Sequence, residues 1–197
     1  RIAVAERLIL LDMFLFNDFL GKEDESFRPL SGQLSEALIR RKTEEPQLQV
    51  VLITDPVNTV YGGLPSAQFE AMRAAEIEVI ETDLDRLRDS NPLYSFFWRL
   101  FIKPFGNARA ESLPNPFGRG KVSVRSYLHL LNFKANHRKT LVNDYPGGWQ
   151  ALVTSANPHD GSSAHRNVAL SFEGPAVTDL IQTENVVLQL SGVDAVE

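Results

Sequence analysis

Alternating strand-like and helix-like segments predict an α/β fold, a mixed β-sheet flanked by helices on both faces. Three observations carry this expectation. Short β-rich runs at 7–16 and 48–54 are separated by a helical stripe. Two further runs near 137–155 are joined by Tyr145-Pro146-Gly147-Gly148, a turn signal that makes them a hairpin. The last segment, 175–189, opens on Pro175 and carries apolar residues at helical spacing.

Each element follows in order. A first strand spans 7–16, and a polar loop covers 21–28. A helix over 31–42 has Leu34, Leu38 and Ile39 as its apolar stripe. Strand 48–54 stops at Asp55-Pro56, and loop 58–65 contains Gly62-Gly63. A helix at 66–75 leads into a strand at 77–81. An aromatic segment, 92–105, follows. The stretch 107–120, with its Pro and Gly, reads as a mobile loop bordering the site. Residues 122–132 fit helix and strand equally. Strands at 137–143, 150–155 and 166–173 and the helix 175–189 close the chain. There is no internal repeat and no low-complexity segment.

The 197 residues fit one domain, 1–197, and a hydrophobic content of 43% suffices for a full core. With no cysteine, disulfides and thiolate metal sites are excluded. No cluster has zinc or calcium ligand spacing, so no metal and no cofactor is expected. No apolar run reaches the ~18 residues of a membrane span. No signal peptide is visible. The chain begins at Arg1, which suggests an excised piece.

Charge is uneven. Net charge is −5, yet residues 99–139 hold nine Lys or Arg against one acid, Glu111. That local excess of +8 leaves −13 for the rest and suits an anionic phosphate substrate. Within the same region, Phe96, Phe97, Trp98 and Phe101 lie close to Arg99 and Lys103. If 92–105 is helical, Ser95, Arg99 and Lys103 form one narrow polar stripe. Such a segment suits lipid contact at a membrane surface, or burial in a core or dimer interface.

The residues richest in chemistry run from His137 to Asp144, as H-x-K-x-x-x-x-D, followed by Ser155 and Asn157. Side chains two apart on a strand share a face, so His137 and Lys139 project together. Ser155 and Asn157 share a face by the same rule. A hairpin would gather an imidazole, an ammonium, a hydroxyl and an amide around one volume. Asp144 has the opposite parity to His137 and is expected to hold the turn or another side chain. His129, His159 and His165 are expected to pack or lie at the surface. Asp55 is expected to form a turn.

This H-x-K-x-x-x-x-D motif with its Ser-x-Asn element resembles the signature of the phospholipase D superfamily. The likeness extends to the first strand (6–18), the second (48–55), the segment 74–79 and a last core strand (166–170), and is sharpest from Asn136 to Asn167. The subgroup suggested is the bacterial phospholipid-processing one, with cardiolipin synthase its best-known member. That implies phosphatidyl transfer or hydrolysis through a phosphohistidine, on a phospholipid substrate, in a membrane-associated bacterial setting. Catalysis would use His137 and Lys139; phosphate would be bound by Lys139, Ser155 and Asn157, with Asp144 and Asn167 in support.

The family uses two H-x-K elements facing each other. This chain supplies one, so a second half is expected from outside these residues or from a second copy. Two departures stand out: Thr154 replaces a frequent Gly, and Ala169 replaces a frequent Glu that orients the catalytic His. Glu173, four residues along the strand, is a candidate substitute. The alternatives are a nuclease acting as a homodimer and a non-catalytic half that binds phosphate or lipid. Overall acidity and the aromatic segment count against nucleic acid.

Overall fold

The computed structural model describes residues 1–19, 26–107 and 111–196. In chain order these form β1 (Leu8–Met13), α1 (Leu30–Glu44), β2 (Gln49–Thr54), α2 (Ala67–Ala74), β3 (Glu78–Glu81), α3 (Pro92–Phe101), β4 (Leu113–Pro114), β5 (Lys121–Val122), α4 (Val124–Leu130), β6 (Lys139–Tyr145), β7 (Gly148–Thr154), β8 (Ala169–Glu173) and α5 (Pro175–Leu190). The main sheet has the order β3-β2-β1-β6-β7-β8. β1, β2 and β3 are parallel, and β6, β7 and β8 add antiparallel pairs.

Strand periodicity sorts the core into two layers. Ile9, Leu11, Val50, Leu52 and Leu141 face α1 and α2, where Leu38, Phe69 and Met72 cover them. Leu8, Leu10, Val51, Ile53, Val142 and Ala151 face α5 and its Val177 and Leu188. The sheet is thus mixed and covered by helices on both faces, as the alternation predicts.

Several expectations change. The first strand ends at Met13, not 16, because the Phe16 N–H is captured by the Asn58 carboxamide oxygen at 2.8 Å. β6 starts at Lys139, so His137 precedes the ladder. β8 starts at Ala169, not 166. The 107–120 stretch is no featureless loop: β4 and β5 pair within it, and the Asn115 side chain closes the turn onto Phe117 N. Its residues 108–110, and 21–25 of the polar loop 21–28, lie outside the described residues. The ambiguous 122–132 stretch contains α4, capped by Ser123 Oγ accepting from Ser126 N.

α3 and α4 form a small layer over the ends of β1 and β2. Asn91 caps α3 and Pro92 occupies its first turn, where a missing N–H costs nothing. The inner side of α3 is tied down by Ser95 to Asn132, Tyr94 to the Leu128 carbonyl, and Trp98 against His129. Burial among Tyr61 and Trp98 pushes the His129 imidazole down to about 4, so it is neutral and packed.

Candidate active site

The H-x-K segment enters the sheet beside β1. The Arg138 carbonyl accepts from Phe14 N at 3.0 Å, and Lys139 pairs with Met13 as the first rung of β6. His137 and Lys139 do project together: Lys139 Nζ lies 3.4 Å from both imidazole nitrogens and donates to the His137 carbonyl at 3.2 Å. Phe14 packs its ring on the imidazole, centroids 4.5 Å apart at 50°. The same ring lies 5.1 Å from Lys139 Nζ, within cation–π range. An open groove of about 500 Å³ is lined by His137, Lys139, Thr140, Thr154, Ser155 and Leu180.

Ser155 borders this groove with an exposed hydroxyl, which donates to Asn167 Oδ1 at 3.1 Å and accepts from Val168 N at 3.0 Å. Asn157 does not share its face. β7 ends at Thr154, the chain turns, and the Asn157 carboxamide oxygen accepts from Leu15 N at 3.1 Å. The oxygen is thereby engaged by the backbone, which leaves the NH₂ group as the end of Asn157 that could donate to an anion. Asp144 sits at the far end of β6, opposite Trp149, and accepts from the N–H groups of Glu6, Arg7 and Leu8. Those bonds hold its carboxyl below the usual range despite burial, which opposes them as the largest single influence.

The substitute for the missing orienting carboxylate is not Glu173. It pairs with Gln150, at the far end of β7 from Ser155, and accepts from the Tyr145 hydroxyl. Ala169 lies opposite Thr154 near the groove. Among the described residues, no carboxylate bonds the His137 ring; Phe14 and Lys139 are its neighbours. His159 is held by the Phe19 carbonyl and Ser162 Oγ, lining a separate pocket of about 200 Å³.

Beneath His137 lies a buried polar cluster that the motif does not announce. Asn136 Nδ2 donates to both Asp12 oxygens and to Thr82, and Asn136 N donates to Asp55. Arg138 bridges Asp12 at 3.5 Å and Glu184 at 2.8 Å, while Thr140 donates to the same Glu184 oxygen. Both carboxyls are fully buried. Burial, and then the Glu184 charge, push Asp12 up to about 8. A protonated Asp12 supplies the donor that the other Glu184 oxygen otherwise lacks. Arg138 lies closer to Glu184 than to Asp12, and the raised group is Asp12. Burial also pushes Asp55 up to about 6. The sequence held a signal for this cluster: Asp12 interrupts an apolar strand, and Glu184 lies on the apolar stripe of α5.

The titratable pair itself is shifted downward. Burial, then the Lys139 charge, lowers the His137 imidazole below 6.5, so it is neutral at pH 7. Burial lowers Lys139 as well, against the attraction of Asp12.

The basic stretch is less free than its count suggests. Arg99 and Lys134 pair with Asp89, Lys103 with Asp85, and Arg138 with Asp12 and Glu184. Of the aromatic lipid-contact candidates, Phe96, Phe97 and Phe101 are exposed, but Trp98 is 2% exposed and is withdrawn from that group. Its indole fills the space between α3 and α4 under Arg125. Among the described residues, no helix is long and apolar enough to cross a membrane.

No family model and no curated protein sequence matches this chain. Among solved structures, it is similar to Nuc from Salmonella typhimurium, a phospholipase D family member. The TM-score is 0.51, with 13% identity, covering 96% of this chain and 82% of that one. At that identity the likeness is one of fold: the mixed sheet covered by helices on both faces is shared with that protein.

Proposed function

We propose that this chain is one half of a phospholipase D-type catalytic unit that acts on phospholipid phosphodiesters. The observation that carries this reading is the convergence of His137 and Lys139 in an open groove that Ser155 also lines. A neutral imidazole beside an ammonium is a nucleophile beside an anion-stabilising group.

In this reading a His137 nitrogen forms a bond to phosphorus while the bond to the leaving oxygen breaks. The departing alkoxide takes a proton from a second acid. Lys139 and Ser155 steady the non-bridging oxygens. Water or an alcohol, deprotonated by that second group, then attacks phosphorus and expels the imidazole. His137, depressed and neutral, suits the attacking role rather than the donating one. One imidazole cannot do both, so a second H-x-K half faces it, from a second copy or from sequence outside these residues. Transfer, as in cardiolipin synthase, and hydrolysis differ only in the second nucleophile.

The nuclease reading draws support from the groove itself, whose open form admits a nucleic-acid backbone as readily as a lipid headgroup. The non-catalytic reading draws on Ala169 and on the lack of a carboxylate at His137. One experiment separates the three: release of headgroup from phosphatidylglycerol vesicles, compared with cleavage of single-stranded DNA, for wild type and His137→Ala. Lipid turnover lost in His137→Ala supports the proposal, and its persistence in chelator agrees with a metal-free mechanism. DNA cleavage alone selects the nuclease. Neither activity, with intact folding and both halves present, selects the binding half.

A further inference from the structure

α3 is an amphipathic helix mounted inside out. Leu93, Phe96, Phe97, Leu100 and Phe101 recur at three- and four-residue spacing and so share one face. That face is exposed, with Leu93 at 84%. Phe105 extends it at 85%, and Phe133, beyond α4, is 65% exposed. The other side carries Ser95, buried on Asn132, and Trp98, packed on His129, while Arg99 and Lys103 stay exposed and pair with Asp89 and Asp85. A helix held by Ser95 and Trp98 and offering three phenylalanines and two leucines to solvent, with Phe105 beyond it, has an apolar surface in need of a cover.

Charge selects what covers it. Residues 83–107 and 111–134, which carry this layer, hold eight Lys or Arg against Asp83, Asp85, Asp89 and Glu111, a net of +4, with Arg86, Arg99, Lys103 and Lys134 in ion pairs and Arg88, Arg119, Lys121 and Arg125 outside them. The rest of the chain therefore carries −9. A two-fold contact between copies would set two such cationic surfaces against each other. A nucleic acid would meet the charge but leave the phenylalanines uncovered. An anionic bilayer interface satisfies both, with rings below the headgroups and cations among them. Phe133 also lies four residues before His137, at most ~14 Å of chain.

We infer that the outer face of α3, with Phe105 and Phe133, docks on the interface of an anionic phospholipid bilayer. This docking does not depend on turnover at His137. The test is sedimentation of the chain with vesicles of phosphatidylglycerol and phosphatidylcholine, against phosphatidylcholine alone, at low and high salt. Binding to the anionic vesicles, weakened by salt, is expected.

Phe96→Ser combined with Phe105→Ser removes two exposed rings. It should retain the circular dichroism and urea midpoint of wild type and bind about tenfold more weakly or less. His137→Ala should sediment as wild type, which separates docking from the catalytic reading. The inference is overturned if no vesicle sediments the protein, if the double variant binds undiminished, or if His137→Ala abolishes binding. It is also overturned if light scattering shows the double variant converting a dimer to monomer, which would make a second copy the cover.

Discussion

The side-chain amide of Asn136 donates to both oxygens of Asp12, at 2.8 and 2.9 Å. Through this contact, residue 136 of the motif loop hangs on the middle strands of the sheet. Its backbone N–H is fixed at the same time by Asp55 at 2.7 Å. His137 therefore follows directly on a residue held by two buried carboxyls.

Removing that anchor should loosen the site. Asn136→Ala leaves Asp12 without its two donors in a buried place, a loss of about 1–3 kcal/mol. Urea denaturation should show the lowered stability. Activity measured where the variant is still fully folded should fall further than wild type under the same conditions. Full activity in the folded variant would show that Asn136 does not position His137.

The Asp12 proton makes a signed prediction for stability. Its folded value is raised to about 8 from 3.8. Between those values the unfolded chain has released a proton that the folded chain keeps, so stability falls as pH rises. Asp55 acts in the same direction only to about 6. His129, lowered to about 4 from 6.5, acts the other way up to its unfolded value, so the window from about 7 to 8 reports mainly Asp12. Asp12→Asn, which still offers an acceptor to Asn136, should flatten the urea midpoint across that window. An unchanged slope would place the proton elsewhere.

The imidazole of His137 should titrate below 6.5, and activity should be lost as pH falls through that depressed value, because protonation removes the nucleophile. Lys139→Met deletes the adjacent charge and should raise the His137 value, as read from imidazole NMR signals. The same variant should lose most activity through loss of the phosphate-facing cation, roughly 10²-fold or more. An unmoved His137 titration would mean that the two side chains do not meet in solution.

Asp144 is predicted to serve stability rather than chemistry. Asp144→Ala leaves the N–H groups of Glu6, Arg7 and Leu8 without their acceptor and should cost about 1–3 kcal/mol. Its folded value is lowered, so its contribution is present above 3.8 and is lost as pH falls through the folded value. Urea midpoints of wild type and variant should converge in acid, while kcat per folded molecule stays near wild type.

What the chain alone determined is most of the elements, though not β4, β5 or α4, and the pairing of His137 with Lys139. Both rest on local periodicity, and two-residue spacing survives even though His137 precedes β6. The sequence also carried the unequal charge, but only the fold showed that Arg99, Lys103, Lys134 and Arg138 are already paired. Only tertiary structure sent the Asn157 oxygen to Leu15 and Glu173 to Tyr145, since strand parity ends where the chain turns. It alone brought Asp12, Asp55, Asn136 and Glu184, from distant segments, into one cluster under the histidine. And it alone turned the aromatic side of α3 outward: a helical stripe is periodic either way, and which side is buried depends on partners such as Asn132 and His129 that lie outside the helix.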